Sequence, residues 1–173
     1  AKLHKSNDGK NNLSKSFRRL VFDELCANFF TLSENRKRIR KNKLSKKFSK
    51  KKSNFVKKLL PFNLTNSQDK VLNEVNEDLS SKKRMFRIIQ GDVGSGKTIV
   101  SLLAISNVIE SGYQCALMGP TEILAKQHYE LAIKIYKDTN FKIEFLTGKT
   151  ESKDRKKILK NLEDGKTNLI IGT

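Results

Sequence analysis

The amino-acid sequence predicts an α/β fold: a mostly parallel sheet with helices on both faces, preceded by a basic, mostly helical segment. Three observations predict it. Strand-like and helix-like patterns alternate four times between residues 61 and 173, the order that yields a parallel sheet with helical crossovers. A glycine-rich loop, Gly91 to Thr98, joins one of these strands to the helix behind it. The charge is divided: residues 1–60 hold 19 Lys+Arg and 4 Asp+Glu, +15 of the chain's +18, which leaves +3 for residues 61–173. The expected organisation is a basic, partly disordered helical connector over residues 1–60 and a nearly neutral domain over 61–173. Pro61 marks the junction.

Each element has its own signal. Residues 1–15 are rich in Lys, Asn and Ser, and too poor in apolar side chains to fold alone. Phe17, Val21, Leu25 and Phe29 then recur at i+4, with Leu20 and Leu32 alongside, as on an amphipathic helix that Ser16 is placed to cap. This stripe needs a partner that residues 1–60 do not supply. Residues 36–58 form a basic tract interspersed with Ile39, Leu44, Phe48, Phe55 and Val56. Two readings of it stand: a helix lying on a nucleic-acid backbone, and a solvated connector. Val71, Leu72, Val75 and Leu79 predict a helix over 65–79, and Phe86 to Gln90 a short strand. Thr98 to Ser111 is an apolar helix stopped by Gly112, the favoured residue just past a helix end. A buried strand over 115–118 precedes a helix over 122–137, with Thr121 as its cap. A strand over 142–146, a helix over 151–163 closed by Gly165, and a last strand over 168–171 complete the alternation. The crossovers are expected to be right-handed.

The strongest chemical signal is Gly91-Asp92-Val93-Gly94-Ser95-Gly96-Lys97-Thr98. It fits the P-loop pattern and lies between a predicted strand and a predicted helix, the context the pattern requires. Glycines at 91, 94 and 96 let the backbone turn through positive φ and approach a phosphate chain closely. The helix N-terminus behind them favours anions. Lys97 can reach the β- and γ-phosphates, and the Thr98 hydroxyl can ligate Mg²⁺. The glycine order, G-x-x-G-x-G rather than G-x-G-x-x-G, makes a dinucleotide-binding fold the weaker reading. Three further loops fall at the carboxyl ends of strands, where open parallel sheets bind ligands: Pro120-Thr121-Glu122, Thr147-Gly148-Lys149 and Gly172-Thr173. Together beside a P-loop they suggest an ATPase that grips a polymer. Thr65 and Gln68 fit a capping box, which would explain Gln68 fully; a hydrogen bond to adenine, with Phe62 near the base, is the other reading.

No run approaches the roughly 18 apolar residues of a membrane span, and no secretory leader is visible. Cys26 and Cys115 lack metal-site spacing, which favours reduced thiols in a cytoplasmic protein. The strong positive charge points to a polyanion, nucleic acid first and an anionic membrane second.

The stretch Phe62 to Gln68, the loop Gly91 to Thr98, the segment Pro120 to His128, Leu146-Thr147-Gly148-Lys149 and Ile170-Ile171-Gly172-Thr173 resemble, in order and spacing, the motifs of superfamily 2 helicases. Within them the chain looks most like the RecG family of bacterial ATP-dependent DNA helicases, which remodel stalled forks and Holliday junctions. The resemblance covers about residues 16 to 173. The P-loop alone is generic, whereas its pairing with PTEILAKQH is much more specific. The transcription-repair coupling helicases are similar but usually carry Phe where Ser95 stands and Thr where Glu122 stands. Phe17 to Leu25 also resembles the RecG connector between wedge domain and motor.

The resemblance implies a RecA-like P-loop NTPase fold, with ATP and Mg²⁺ as cofactors and branched or duplex DNA as partner. It implies a monomeric motor acting in recombination and repair. By it, Gln68 senses adenine. Gly91, Asp92, Val93, Gly94, Ser95, Gly96, Lys97 and Thr98 bind ATP, with Lys97 and Thr98 catalytic and Thr98 on the metal. Pro120, Thr121, Glu122, Gln127, Gly148, Lys149, Gly172 and Thr173 meet DNA. The family continues with a His and a DExH box, and no such box follows the P-loop here. The chain is therefore expected to be an internal part of a longer helicase, with an incomplete sheet and no useful ATP hydrolysis alone. Two other classes stay open: a P-loop nucleotide kinase, disfavoured by the Pro120-Thr121-Glu122 loop, and a non-catalytic basic nucleic-acid-binding module.

Overall fold

A computed structural model of the chain describes residues 10–39 and 53–173. Helix α1 spans Lys10–Ile39, α2 Ser53–Leu59, α3 Asn66–Ser80 and α4 Lys97–Glu110. Strand β1 (Cys115–Met118), helix α5 (Glu122–Ile135), strand β2 (Ile143–Leu146), helix α6 (Ser152–Glu163) and strand β3 (Leu169–Gly172) follow. The three strands form one parallel sheet in the order β1-β3-β2. The architecture is the expected α/β one.

The order explains where the helices lie. The connection from β1 to β2 passes over β3 and carries α5; the connection from β2 back to β3 runs the opposite way and carries α6. Right-handed crossovers place two such helices on opposite faces. Register agrees. Cys115, Leu169 and Ile143 are aligned, as are Leu117, Ile171 and Phe145, and these side chains share the face covered by α4 and α5. Ala116, Ile170 and Glu144 share the other face, where Asn161 Nδ2 of α6 donates to Glu144 Oε1 at 3.4 Å.

The core joins Val75 of α3, Val100, Leu102 and Leu103 of α4, Ala132 of α5, Tyr136 just beyond it, and Leu169 and Ile171 of β3. Tyr136 donates its hydroxyl to Leu102 O at 2.6 Å, so the one polar group this ring buries is satisfied. Burial holds that hydroxyl's pKa well above the usual tyrosine value. Val56 of α2 is also fully buried in this core, which ties the end of the basic tract to α4.

Two expectations are corrected. Residues 86–90 do not form a strand: 84–92 has no ladder partner among the described residues, and the side chain of Ile88 is exposed. An apolar, β-prone run becomes a strand only beside a neighbour, and β1, β3 and β2 pair with one another instead. Ser16 is not a cap, because α1 begins at Lys10. Beyond Gly9 nothing in the Lys/Asn/Ser run breaks a helix, so the helix nucleated by the apolar stripe extends backwards through it. The same helix runs through Arg36 to Ile39, taking in the start of the basic tract. Phe17, Phe22, Phe29 and Phe30 of its described side chains stand exposed. The disorder expected for residues 1–15 and the reading of the tract fall largely on residues 1–9 and 40–52, outside the described residues. No helix among the described residues is long and apolar enough to cross a membrane.

Candidate functional site

The loop Gly91–Thr98 leads from the extended segment at 84–90 into α4. Gly94 and Gly96 both have φ of +80°, the left-handed region that glycine enters without strain. Ser95 N donates to Asp92 O at 3.2 Å, which closes the turn. Gly96 occupies the cap position of α4, where no side chain caps the helix. Thr65 caps α3 and Thr121 caps α5 through side-chain oxygens, whereas neither α4 nor α6 has a side-chain cap. At α4 the cap position is a glycine of the loop itself, which leaves the first-turn N–H groups available to an external anion.

Lys97 folds over the loop. Its Nζ donates to Gly91 O at 2.7 Å and Asp92 O at 2.6 Å, with Ser95 Oγ at 3.4 Å. The ammonium is thus held against the start of the loop by carbonyl and hydroxyl oxygens. Thr98 stands half-buried in the first turn of α4. A cavity of about 240 Å³ adjoins the loop, lined by Ser67, Gln68, Val71, Ile89, Gly91 and Lys97 among others. Phe62 is not among its lining residues and is 48% exposed.

Both readings of Gln68 draw on the same amide. Thr65 N donates to Gln68 Oε1 at 2.9 Å and Gln68 N donates to Thr65 Oγ1 at 3.2 Å, so the capping box is formed. The other end of the amide, Nε2, donates to Ser95 O of the loop at 3.0 Å. The cap orients the amide, and the amide bridges α3 to the P-loop. A Cβ on Gly96 would collide with Nε2, so any other residue there takes a left-handed φ and must also displace the Gln68 amide.

The three strand-end loops meet at one edge because the strands are parallel. Gly119 N donates to Gly172 O at 2.8 Å, and Thr173 N donates to Leu146 O at 3.3 Å. Thr121 accepts from Leu124 N at 3.3 Å. Glu122 pairs with Lys149 across two loops at 2.7 Å, and this carboxylate raises the Lys149 pKa. Thr147 N donates to Thr150 Oγ1 at 3.0 Å, which closes the loop that carries Gly148 and Lys149. A Cβ on Gly172 would overlap the Leu146 carbonyl oxygen, so glycine is needed for β3 to lie this close to β2. Pro120 and Gln127 are exposed, and Gln127 lies on α5 with no hydrogen bond to the three loops. Among the described residues no hydrogen bond joins the P-loop group to the strand-end group.

One residue escaped the sequence reading. A Cβ on Gly119 would lie 2.9 Å from Ala125 N, so this glycine lets the first turns of α5 rest on the end of β1. A Gly-Pro pair between a strand and a helix was its signal.

Comparison with known proteins agrees with this geometry. The family model described as DEAD/DEAH box helicase matches residues 65–173. The ATP-dependent DNA helicase RecG of Aquifex aeolicus is 38% identical over 179 residues, covering 99% of this chain and 22% of that protein. That of Streptococcus pneumoniae is 41% identical over 165 residues, covering 92% of this chain and 24% of its own length. Among solved structures, RecG bound to a three-way DNA junction superposes with a TM-score of 0.78 at 38% identity, over 93% of this chain and 22% of that one. A hypothetical ATP-dependent RNA helicase from Sulfolobus tokodaii shares the fold, with a TM-score of 0.53 at 19% identity over 72% of this chain and 34% of that one. The chain spans between a fifth and a quarter of the length of the curated relatives it matches.

Proposed function

The chain belongs to the DEAD/DEAH box helicase family, and from that premise we propose that residues 61–173 are the ATP-binding part of a RecG-type DNA helicase, with residues 1–60 as its basic connector. The helicase couples ATP hydrolysis to translocation on duplex DNA and to the remodelling of branched DNA in recombination and repair. It works as a monomer in the cytoplasm. The observation that carries the reading is the P-loop itself: two glycines at φ +80°, an uncapped α4 and a lysine folded over the loop. These fit an ATP·Mg²⁺ complex. Gly91, Gly94 and Gly96 keep side chains out of the phosphate path. The α4 N-terminus stabilises the phosphate charge. Lys97, which donates to Gly91 O and Asp92 O, would turn to the β- and γ-phosphate oxygens, and the Thr98 hydroxyl would hold the Mg²⁺ ion. Bound Mg²⁺ supplies neutralisation of the charge that develops on the phosphates. Gln68 orients the adenine from its capped position.

For the DNA side, Pro120, Thr121, Glu122, Gln127, Gly148, Lys149, Gly172 and Thr173 form the backbone-gripping edge. Small and hydroxyl residues there allow close contact with sugar and phosphate, which set register without reading sequence. The test is titration of the chain with a fluorescent ATP analogue and Mg²⁺. Saturable binding that weakens at least tenfold in Lys97→Ala, with unchanged circular dichroism, is expected. Equal binding by Lys97→Ala would refute the assignment.

A further inference from the structure

The +3 of residues 61–173 is not spread over them. Helix α6 holds five cations (Lys153, Arg155, Lys156, Lys157 and Lys160) and two carboxylates (Asp154 and Glu163), so it alone accounts for that charge. The rest of the segment holds 12 Lys+Arg and 12 Asp+Glu. Helix geometry concentrates the charge further. Ile158 is buried against the sheet, with Asn161 and Leu162 half-buried beside it. At 3.6 residues per turn, the opposite face carries Lys153, Lys156, Lys157 and Lys160, at i, i+3, i+4 and i+7. All four are exposed, and among the described residues none is paired with a carboxylate. Like charges at these spacings repel one another, so the row is at its most favourable with an external polyanion against it. It spans about 10 Å along the helix axis, roughly the rise of three successive phosphates of one strand. It also starts four residues beyond Lys149, which lies in a loop at the sheet edge assigned to DNA.

We propose that the outward face of α6 is a second nucleic-acid contact surface, on which Lys153, Lys156, Lys157 and Lys160 carry the phosphate backbone onward from Lys149. The inference rests on the reading that the strand-end loops meet DNA. Nucleic acid fits better than an anionic membrane, because a helix lying on a membrane turns its apolar face to the lipid. The apolar face of α6 is largely spent on the sheet, through buried Ile158 and half-buried Leu162, and of it only Leu159 stands exposed.

The test replaces all four lysines by Gln in the full chain and follows duplex DNA binding by fluorescence anisotropy between 50 and 200 mM salt. A second variant, with Lys70, Lys82, Lys83 and Lys134 changed to Gln, loses the same charge elsewhere. All eight positions are exposed, and circular dichroism checks that both variants fold. The dependence of log K on log[salt] is expected to flatten by about 2–3 in the α6 variant, about 0.9 for each phosphate no longer neutralised. It should flatten by less than about 1 in the second variant, whose lysines touch no phosphate. Equal flattening in both would reduce the effect to net charge and overturn the proposal. An unchanged slope in the α6 variant, with the unsubstituted chain still binding, would overturn the α6 surface and leave the strand-end reading standing. Absence of salt-sensitive DNA binding by the unsubstituted chain would overturn both. Loss of binding to phosphatidylserine vesicles with DNA binding retained would overturn it in favour of a membrane.

Discussion

Gly94 and Gly96 share one backbone angle and differ in their surroundings, which makes them a controlled pair. Both have φ +80°. A Cβ on Gly94 meets nothing within 4 Å, whereas one on Gly96 runs into Gln68 Nε2. Alanine at 94 therefore carries only the left-handed backbone cost, about 1–2 kcal/mol. Alanine at 96 carries the same cost and displaces the Gln68 amide. That breaks the 3.0 Å bond to Ser95 O, worth about 1 kcal/mol. It also disturbs the 2.9 Å bond from Thr65 N, half of the capping box, for up to about 1 kcal/mol more. Gly96→Ala should thus destabilise the chain by about 2–4 kcal/mol, roughly twice the effect of Gly94→Ala. Urea unfolding followed by circular dichroism reads the difference as a midpoint shift at constant m. Gln68→Ala supplies the cross-check, because it removes the atom that Gly96→Ala strikes. The double variant should be less destabilised than the sum of the singles by about 1 kcal/mol. Equal effects of the two glycine substitutions, with an additive Gln68→Ala, would show that Gln68 does not brace the loop.

Three further outcomes are expected. Thr65→Ala removes the α3 cap and should cost about 1 kcal/mol in chemical denaturation, and it should also weaken binding of an ATP analogue because Gln68 loses its anchor. Glu122→Gln frees Lys149, whose side chain is 85% exposed; stability should move by less than about 0.5 kcal/mol, while DNA affinity at low salt should rise. Gly172→Ala pushes a Cβ into the Leu146 carbonyl and should lower thermal stability by about 1–3 kcal/mol, visible as a fall in Tm.

The P-loop was legible in the sequence because its chemistry fixes residue types at fixed spacing, and the strand-end loops because a parallel alternation must bring every strand's carboxyl end to one edge. Gln68 was legible only as two competing readings. The structure forms the cap through Oε1 and adds a bond from Nε2 to Ser95 O of the loop that neither reading included, while the contact with adenine stays a proposal. The 86–90 run was misread for a reason local patterns cannot repair: apolar, β-prone residues describe a strand's surface, but a ladder depends on which segment lies alongside. Arg87 shows what holds that run instead, its guanidinium reaching Glu74 and Asp78 of α3 at 2.6 and 2.7 Å. Gly119 was missed because its role is set by Ala125, six positions on, whose approach is visible only once α5 is folded back on β1.

On the proposed reading two polyanions are bound, and the physics of the two sites differs. The P-loop works by aimed N–H groups and one lysine, in surroundings whose charges balance, so its grip is short-ranged and weakly screened. The α6 face works by accumulated charge, which ionic strength screens over about 8 Å. Sites that drew on one shared field would compete for it; sites built on different interactions can be filled together, which a motor needs if hydrolysis is to move DNA. Their communication then has to pass through packing, since no hydrogen bond joins the two groups directly among the described residues. Helix α4 begins at the P-loop, and α5 begins at Thr121 and Glu122. The two helices share the core, and Tyr136, just past α5, hydrogen-bonds Leu102 of α4. On the proposed reading, the Tyr136–Leu102 bond and the shared core are therefore the route by which a shift of α4 would be felt at α5, whereas the exposed Glu122–Lys149 pair is too weak to carry it further.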